Sequence, residues 1–140
     1  MDKKLHYIRQ DGAHVFKYAV RKFAETSAAP PGAQRAQPAS DLDLFVAHQA
    51  NLRIINAAQE RLGLPDAKVV KNIDEYGNTT AATIPLAMGT ALDEGPRSRR
   101  GNLAMMAAVG AGFTVGTGAH PLDGVRVEVA VRVGAHARRR

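Results

Sequence analysis

Seven consecutive apolar residues, Leu103-Ala104-Met105-Met106-Ala107-Ala108-Val109, constrain this chain more than any other feature. As a strand, the run places apolar side chains on both faces at once, because successive residues point in opposite directions. Such a strand belongs in a sheet whose two faces are both covered by helices. The Gly110-Ala111-Gly112 that follows reads as a tight turn, and residues 113–116 begin a return strand.

The rest of the chain supplies the covering elements. Residues 5–9 are a short strand candidate, and residues 12–25 carry Val15, Ala19 and Phe23 as one helical stripe. Residues 26–40 turn to Ala, Pro, Gly, Gln and Ser, with Pro30-Pro31, Gly32 and Pro38, and read as a flexible connection. Residues 43–47 form a buried strand ending at His48, and residues 51–62 a helix closed by Gly63 with Pro65 just beyond. Residues 68–71 are β-prone, Asn78-Thr79 can cap, and residues 81–92 form an Ala-rich helix in which Pro85 marks a kink or a first turn. Strands alternating with helices give an α/β layer pattern. Residues 125–133 alternate apolar and polar side chains, as an edge or half-buried strand does.

The 140 residues have the length of one ordinary domain, and 45% hydrophobic content is ample for a core. No stretch approaches the roughly 18 apolar residues of a membrane span, and Met1-Asp2-Lys3-Lys4 is followed by no apolar run, so a cytoplasmic location is expected. Cysteine is absent and the five histidines show no ligand spacing with carboxylates, so no metal site is expected. The net charge of +6 owes much to Arg97, Arg99, Arg100 and Arg138-Arg139-Arg140, and only 5% of residues are aromatic. Stacking platforms for nucleic acid are therefore scarce. The basic side chains suit a solvated face or tail, or an acidic protein or phosphate-bearing partner.

Two short segments carry chemistry: His48-Gln49-Ala50-Asn51 and Gly77-Asn78-Thr79-Thr80-Ala81-Ala82. An imidazole and a carboxamide, each near the end of a β-prone segment, can aim two hydrogen-bond donors at one oxygen, which is how a developing enolate or oxyanion is held. The chain offers no cysteine nucleophile beside them. His48 alone reads as a satisfied histidine at a strand end, and Asn78 alone as a turn or cap residue; the cap reading is compatible with the catalytic one.

Four segments, in order, carry a resemblance: Gly12-Ala13-His14-Val15-Phe16-Lys17-Tyr18-Ala19-Val20; Phe45-Val46-Ala47-His48-Gln49-Ala50-Asn51-Leu52-Arg53-Ile54; Tyr76-Gly77-Asn78-Thr79-Thr80-Ala81-Ala82-Thr83-Ile84-Pro85; and Gly110-Ala111-Gly112-Phe113-Thr114. Together they resemble the C-terminal half of a β-ketoacyl-acyl-carrier-protein synthase III. The resemblance implies a thiolase-like α/β half with a mixed five-stranded sheet and helices, lacking the N-terminal half. It spans residues 1–118 with a Pro/Ala-rich insertion at 26–40, followed by a basic extension at 119–140.

By the same resemblance the activity is a decarboxylative Claisen condensation of malonyl-carrier protein with an acyl group taken from coenzyme A, in fatty acid biosynthesis. His48 and Asn78 donate to the thioester carbonyl of the malonyl group, His48 neutral and protonated on the donating nitrogen. Ala111 offers its backbone N–H to the acyl oxyanion. Phe16, Ala50 and Ile54 line a tunnel for the pantetheine arm, with core packing an equal account of Phe16 and Ile54. Arg53, Lys17 and Arg61 meet an acidic carrier protein or cofactor phosphates, Arg53 foremost; for Lys17 and Arg61 an exposed charge is the plainer account. The implied substrates are a coenzyme A thioester and a phosphopantetheine carrier, with no further cofactor. The implied partners are the acyl carrier protein and a cysteine-bearing N-terminal half or a dimer mate. Val115 stands where an aromatic is common in the family. Three readings stay open: a catalytic C-terminal domain that acts when joined to its other half, a noncatalytic module binding carrier protein or coenzyme A, and a truncated remnant.

Overall fold

The computed structural model describes residues 10–28, 39–93, 101–122 and 130–133. The strand expected at 5–9, the arginines at 97–100, the first part of the alternating tail and the terminal arginines lie outside them.

Helix α1 (Gly12–Ala28) starts where the Asp11 carboxylate accepts the His14 N–H at 3.0 Å, a side-chain cap on an otherwise unpaired donor. It runs three residues into the stretch expected to be a flexible connection. Thr26, Ser27 and Ala28 are tolerated in a last turn, and the first true breaker is Pro30. Strand β1 (Leu44–Ala47) leads through His48 to α2 (Leu52–Leu62). Asn51 caps α2 by accepting the Arg53 N–H at 2.9 Å. Gly63 ends it at φ 65°, where a side chain would be strained, and its N–H turns back to the carbonyls of Gln59 and Glu60.

A single turn, α3 (Ile73–Tyr76), and a 3-10 turn (Thr80–Ala82) precede α4 (Thr83–Asp93). Pro85 falls in the first turn of α4, where its missing N–H has no helical acceptor to lose, so the helix continues through it. Strands β2 (Leu103–Gly110), β3 (Thr114–Pro121) and β4 (Ala130–Val133) follow, and two further 3-10 turns (Ala39–Asp41 and Asp66–Lys68) precede β1 and α3.

The sheet order is β1-β2-β3-β4, with β1 and β2 parallel and the other pairs antiparallel. The mixed sheet expected from the sequence is present, with four strands among the described residues and not five. Among the described residues, the β-prone 68–71 contribute one bridge, Phe45 with Val69, supported by Val70 N–H donating to the Phe45 carbonyl at 3.0 Å. Beyond that bridge the edge of β1 is closed by a side chain, described below, in place of a ladder. The alternating tail finds its partner in β3, with Thr114 opposite Val133 and Thr117 opposite Ala130.

The register explains the apolar run. Phe45, Ala47, Met105 and Ala107 share one face and pack with Ala19 and Phe23 of α1 and Ile55 and Ala58 of α2. Leu44, Val46, Ala104 and Met106 share the other and pack with Ala87 and Ala91 of α4. Phe23 meets Phe45 edge to face at 6.4 Å between ring centroids. No helix among the described residues is long and apolar enough to cross a membrane.

Candidate active site

The C-terminal end of β1 delivers His48, whose N–H continues the sheet by donating to the Ala107 carbonyl at 2.7 Å. The next residue locks this end in place. Gln49 is wholly buried; its Nε2 donates to the carbonyls of Ala47 at 2.8 Å and Val70 at 3.1 Å, and its Oε1 accepts the Asn72 N–H at 3.2 Å. Asn72 passes the connection to α4 by donating to Thr90 Oγ1 at 2.9 Å. One amide side chain therefore substitutes for the ladder that residues 68–71 do not form.

The His48 ring is half-buried, and its Nδ1 lies 2.5 Å from Thr83 Oγ1 on the first turn of α4. Burial lowers its pKa below the ordinary imidazole value, which keeps the ring neutral at pH 7. Asn78 is held differently. Its Oδ1 accepts the Thr80 N–H at 3.0 Å, which fixes the amide orientation and leaves Nδ2 as a donor directed away from that bond. Thr80 itself sits at φ 54°, a left-handed conformation that costs a β-branched residue roughly 1–3 kcal/mol.

His48 and Asn78 line one cleft of about 340 Å3, together with Thr80, Thr83, Val109 and Gly110. Asn78 also lines a second cleft of about 710 Å3 with Phe16, Lys17, Ala50, Arg53 and Ile54. The fold thus brings together seven of the sequence-predicted site residues around two clefts that share Asn78. Ile54 is both a core residue and a cleft wall. The Arg53 guanidinium carbon lies 5.9 Å from the Phe16 ring centroid, within cation–π range. Two predicted residues stand apart. Arg61 is exposed in the last turn of α2 and is not among the residues lining either cleft. Ala111 is exposed in the β2–β3 turn, outside both linings, where its carbonyl accepts from Thr114 Oγ1 at 3.0 Å.

Sequence reasoning missed Gln49 and Thr83 as residues that position His48. Thr83 stands between the apolar Ala82 and Ile84, the one usable signal; Gln49, between His48 and Ala50, offers none of that kind. No group of three His, Asp or Glu residues able to hold a metal ion occurs among the described residues.

The chain is 54% identical over 116 residues to the beta-ketoacyl-[acyl-carrier-protein] synthase III of Koribacter versatilis, an overlap of 83% of this chain and 34% of that protein. The crystal structure of 3-oxoacyl-(acyl carrier protein) synthase III from Pseudomonas aeruginosa superposes with a TM-score of 0.74 at 42% identity, covering 82% of this chain and 36% of that one. The enzyme of that name from Aquifex aeolicus gives 0.73 at 38% identity, over 93% of this chain and 38% of the other. The chain spans about a third of the length of the curated relatives it matches, and its α/β sheet and helices are part of a thiolase-like domain. Residues 33–120, more than half of the chain and including both His48 and Asn78, match the 3-oxoacyl-[acyl-carrier-protein] synthase III C-terminal family, and the chain belongs to that family.

Proposed function

We propose that this chain is the C-terminal catalytic part of a 3-oxoacyl-[acyl-carrier-protein] synthase III that carries out decarboxylative Claisen condensation in fatty acid biosynthesis. The observation that carries the reading is the shared cleft: a neutral imidazole and an oriented carboxamide border the same space. Loss of carbon dioxide from a malonyl thioester leaves an enolate whose charge gathers on the thioester oxygen. Donors already in place stabilise that charge without reorganising as it forms. His48 and Asn78 are the proposed donors.

The larger cleft suits the arm that brings the thioester. Phe16, Ala50 and Ile54 give it apolar wall, and Arg53 and Lys17 are exposed cations at its edge for an acidic carrier protein or coenzyme A phosphates. Ala111 is the proposed backbone donor to the acyl oxyanion. A cysteine thiolate supplied by an N-terminal half, in a cytoplasmic complex or homodimer, accepts the acyl group from coenzyme A, and no metal or further cofactor enters the scheme. Residues 1–118 form the ketosynthase part, and 119–140 the basic extension.

The test is complementation. The chain is co-expressed with the cysteine-bearing N-terminal half of a relative, and formation of acetoacetyl-carrier protein from acetyl-coenzyme A and malonyl-carrier protein is measured. Product is expected, and His48→Ala lowers its rate roughly 100- to 1,000-fold, the usual effect of removing one oxyanion donor. No product at any ratio overturns the catalytic reading. Retained carrier binding in that case supports the binding-module alternative.

A further inference from the structure

Thr83 decides what the His48 ring can do. It is 2% exposed, and its Oγ1 touches two groups: His48 Nδ1 at 2.5 Å and the Thr80 carbonyl oxygen at 3.1 Å. A hydroxyl has one proton, and a carbonyl oxygen only accepts. The bond to Thr80 therefore uses the Thr83 proton, and the bond to His48 is one in which Nδ1–H donates to a lone pair on Oγ1. This allocation satisfies both contacts. The reverse one, with the hydroxyl donating to Nδ1, gives up the bond to Thr80.

We infer that the buried Thr83 hydroxyl, clamped between Thr80 and His48, holds the imidazole as its Nδ1–H tautomer in the free protein, so that Nε2 is an acceptor until Thr83 turns its proton onto Nδ1. Among the described residues Nε2 has no hydrogen-bond partner. The clamp extends to the second donor, because Thr80 also gives its N–H to Asn78 Oδ1. Asn78, Thr80, Thr83 and His48 thus form one continuous chain of hydrogen bonds, with a left-handed threonine at its middle.

The consequence for catalysis rests on the function proposed above. Donation from Nε2 to an enolate needs the other tautomer. One proton leaves Nδ1 for water, one is taken from water at Nε2, and the Thr83 proton swings from the Thr80 carbonyl to Nδ1; no net charge moves. Thr83 is in this sense a positioning residue that gates the donor.

The test is tautomer-sensitive nitrogen-15 NMR on the labelled full chain, at a pH where the ring is neutral, with His48→Gln to assign the signals. The expected spectrum has a protonated Nδ1 and a bare Nε2. Thr83→Ser keeps that pattern, and Thr83→Val abolishes it in favour of Nε2–H, the form a neutral imidazole prefers in water. A wild-type Nε2–H spectrum overturns the inference, as does a Thr83→Val spectrum unchanged from wild type. The wild-type spectrum decides even where Thr83→Val does not fold. The readout needs no turnover, so a failed complementation assay and a failed tautomer assignment remain separate results.

Discussion

Replacing Gln49 with leucine tests whether one buried amide holds the His48 end of β1. The two side chains are close in volume, so the change removes hydrogen bonds without opening a large cavity. Three backbone groups lose their partner: the carbonyls of Ala47 and Val70 and the N–H of Asn72. The Ala47 carbonyl faces the same edge of β1 as the Phe45 carbonyl that accepts from Val70, away from β2, so it has no ladder bond to fall back on. All three groups belong to residues 97–100% buried, and each buried group left unpaired costs about 2 kcal/mol. The leucine returns roughly 1 kcal/mol of apolar burial. The net loss is about 5 kcal/mol, a large fraction of the roughly 5–15 kcal/mol that stabilises an ordinary domain. In urea, with a slope of about 1.5 kcal/mol/M, the midpoint falls by about 3 M. Gln59→Leu is the control: that side chain is half-buried and donates to the Leu64 carbonyl and the exposed Asp66 carboxylate, so its loss is under about 1 kcal/mol. Equal midpoints for the two variants, or a Gln49→Leu shift below about 0.5 M, would refute the reasoning.

Asn51→Ala removes the side-chain cap on Arg53 N–H and should cost about 1 kcal/mol in the same urea titration. The lowered pKa of His48 gives stability a defined pH dependence. Above roughly pH 6.5, the unfolded value, the ring is neutral in both states and stability is full; as pH falls below it the unfolded chain takes up the proton first, and stability drops until the lower folded pKa is passed. The urea midpoint should follow that curve, and His48→Gln should remove this share of the slope. Arg53→Glu reverses the exposed charge beside Phe16 at the larger cleft, and should weaken binding of acidic carrier protein at least about tenfold at low salt, by calorimetry, with the difference shrinking as salt is added.

The parts of the fold legible in the sequence are those set by local chemistry or by an unambiguous apolar pattern. The run at residues 103–109 announces a strand covered on both faces, and alternate residues do feed two separate cores. Gly63 marks the end of α2 to the residue, and the helix starts at Leu52, one residue later than expected, with Asn51 as its cap, because capping is a local hydrogen-bond problem. The expected strand at residues 68–71 is different. Its β-branched Val69-Val70 favours extension, yet the neighbouring edge is occupied by the Gln49 amide, and no local propensity reports a side chain arriving from 21 residues away. The same reason hides Thr83. A threonine after two alanines in a helix start reads as a spacer, and only the packing of α4 against β1 brings its hydroxyl to His48. His48 and Asn78 stood out as paired donors, but their common link through Thr80 depends on a backbone conformation that residue type disfavours.

Asn78→Asp separates donation from loop structure at the proposed site. Asn78 uses Oδ1 to accept the Thr80 N–H, and an aspartate keeps that acceptor. The turn at Thr80 therefore survives, which Asn78→Ala does not guarantee. What changes is the other end of the side chain, where an NH2 donor becomes an oxygen carrying negative charge. Loss of the donor alone should slow decarboxylation roughly 100- to 1,000-fold. Two like charges about 4 Å apart in a partly screened cleft add a repulsion of up to about 4 kcal/mol, reduced here because Asn78 is exposed to solvent. Even a third of that figure is another factor of about ten. In the complemented enzyme, carbon dioxide release from malonyl-carrier protein should thus be slower with aspartate than with alanine at position 78, although aspartate preserves the fold better. An aspartate variant as fast as the alanine one would mean that no negative charge develops near Asn78, and the pairing of His48 with Asn78 around one oxygen would have to be abandoned.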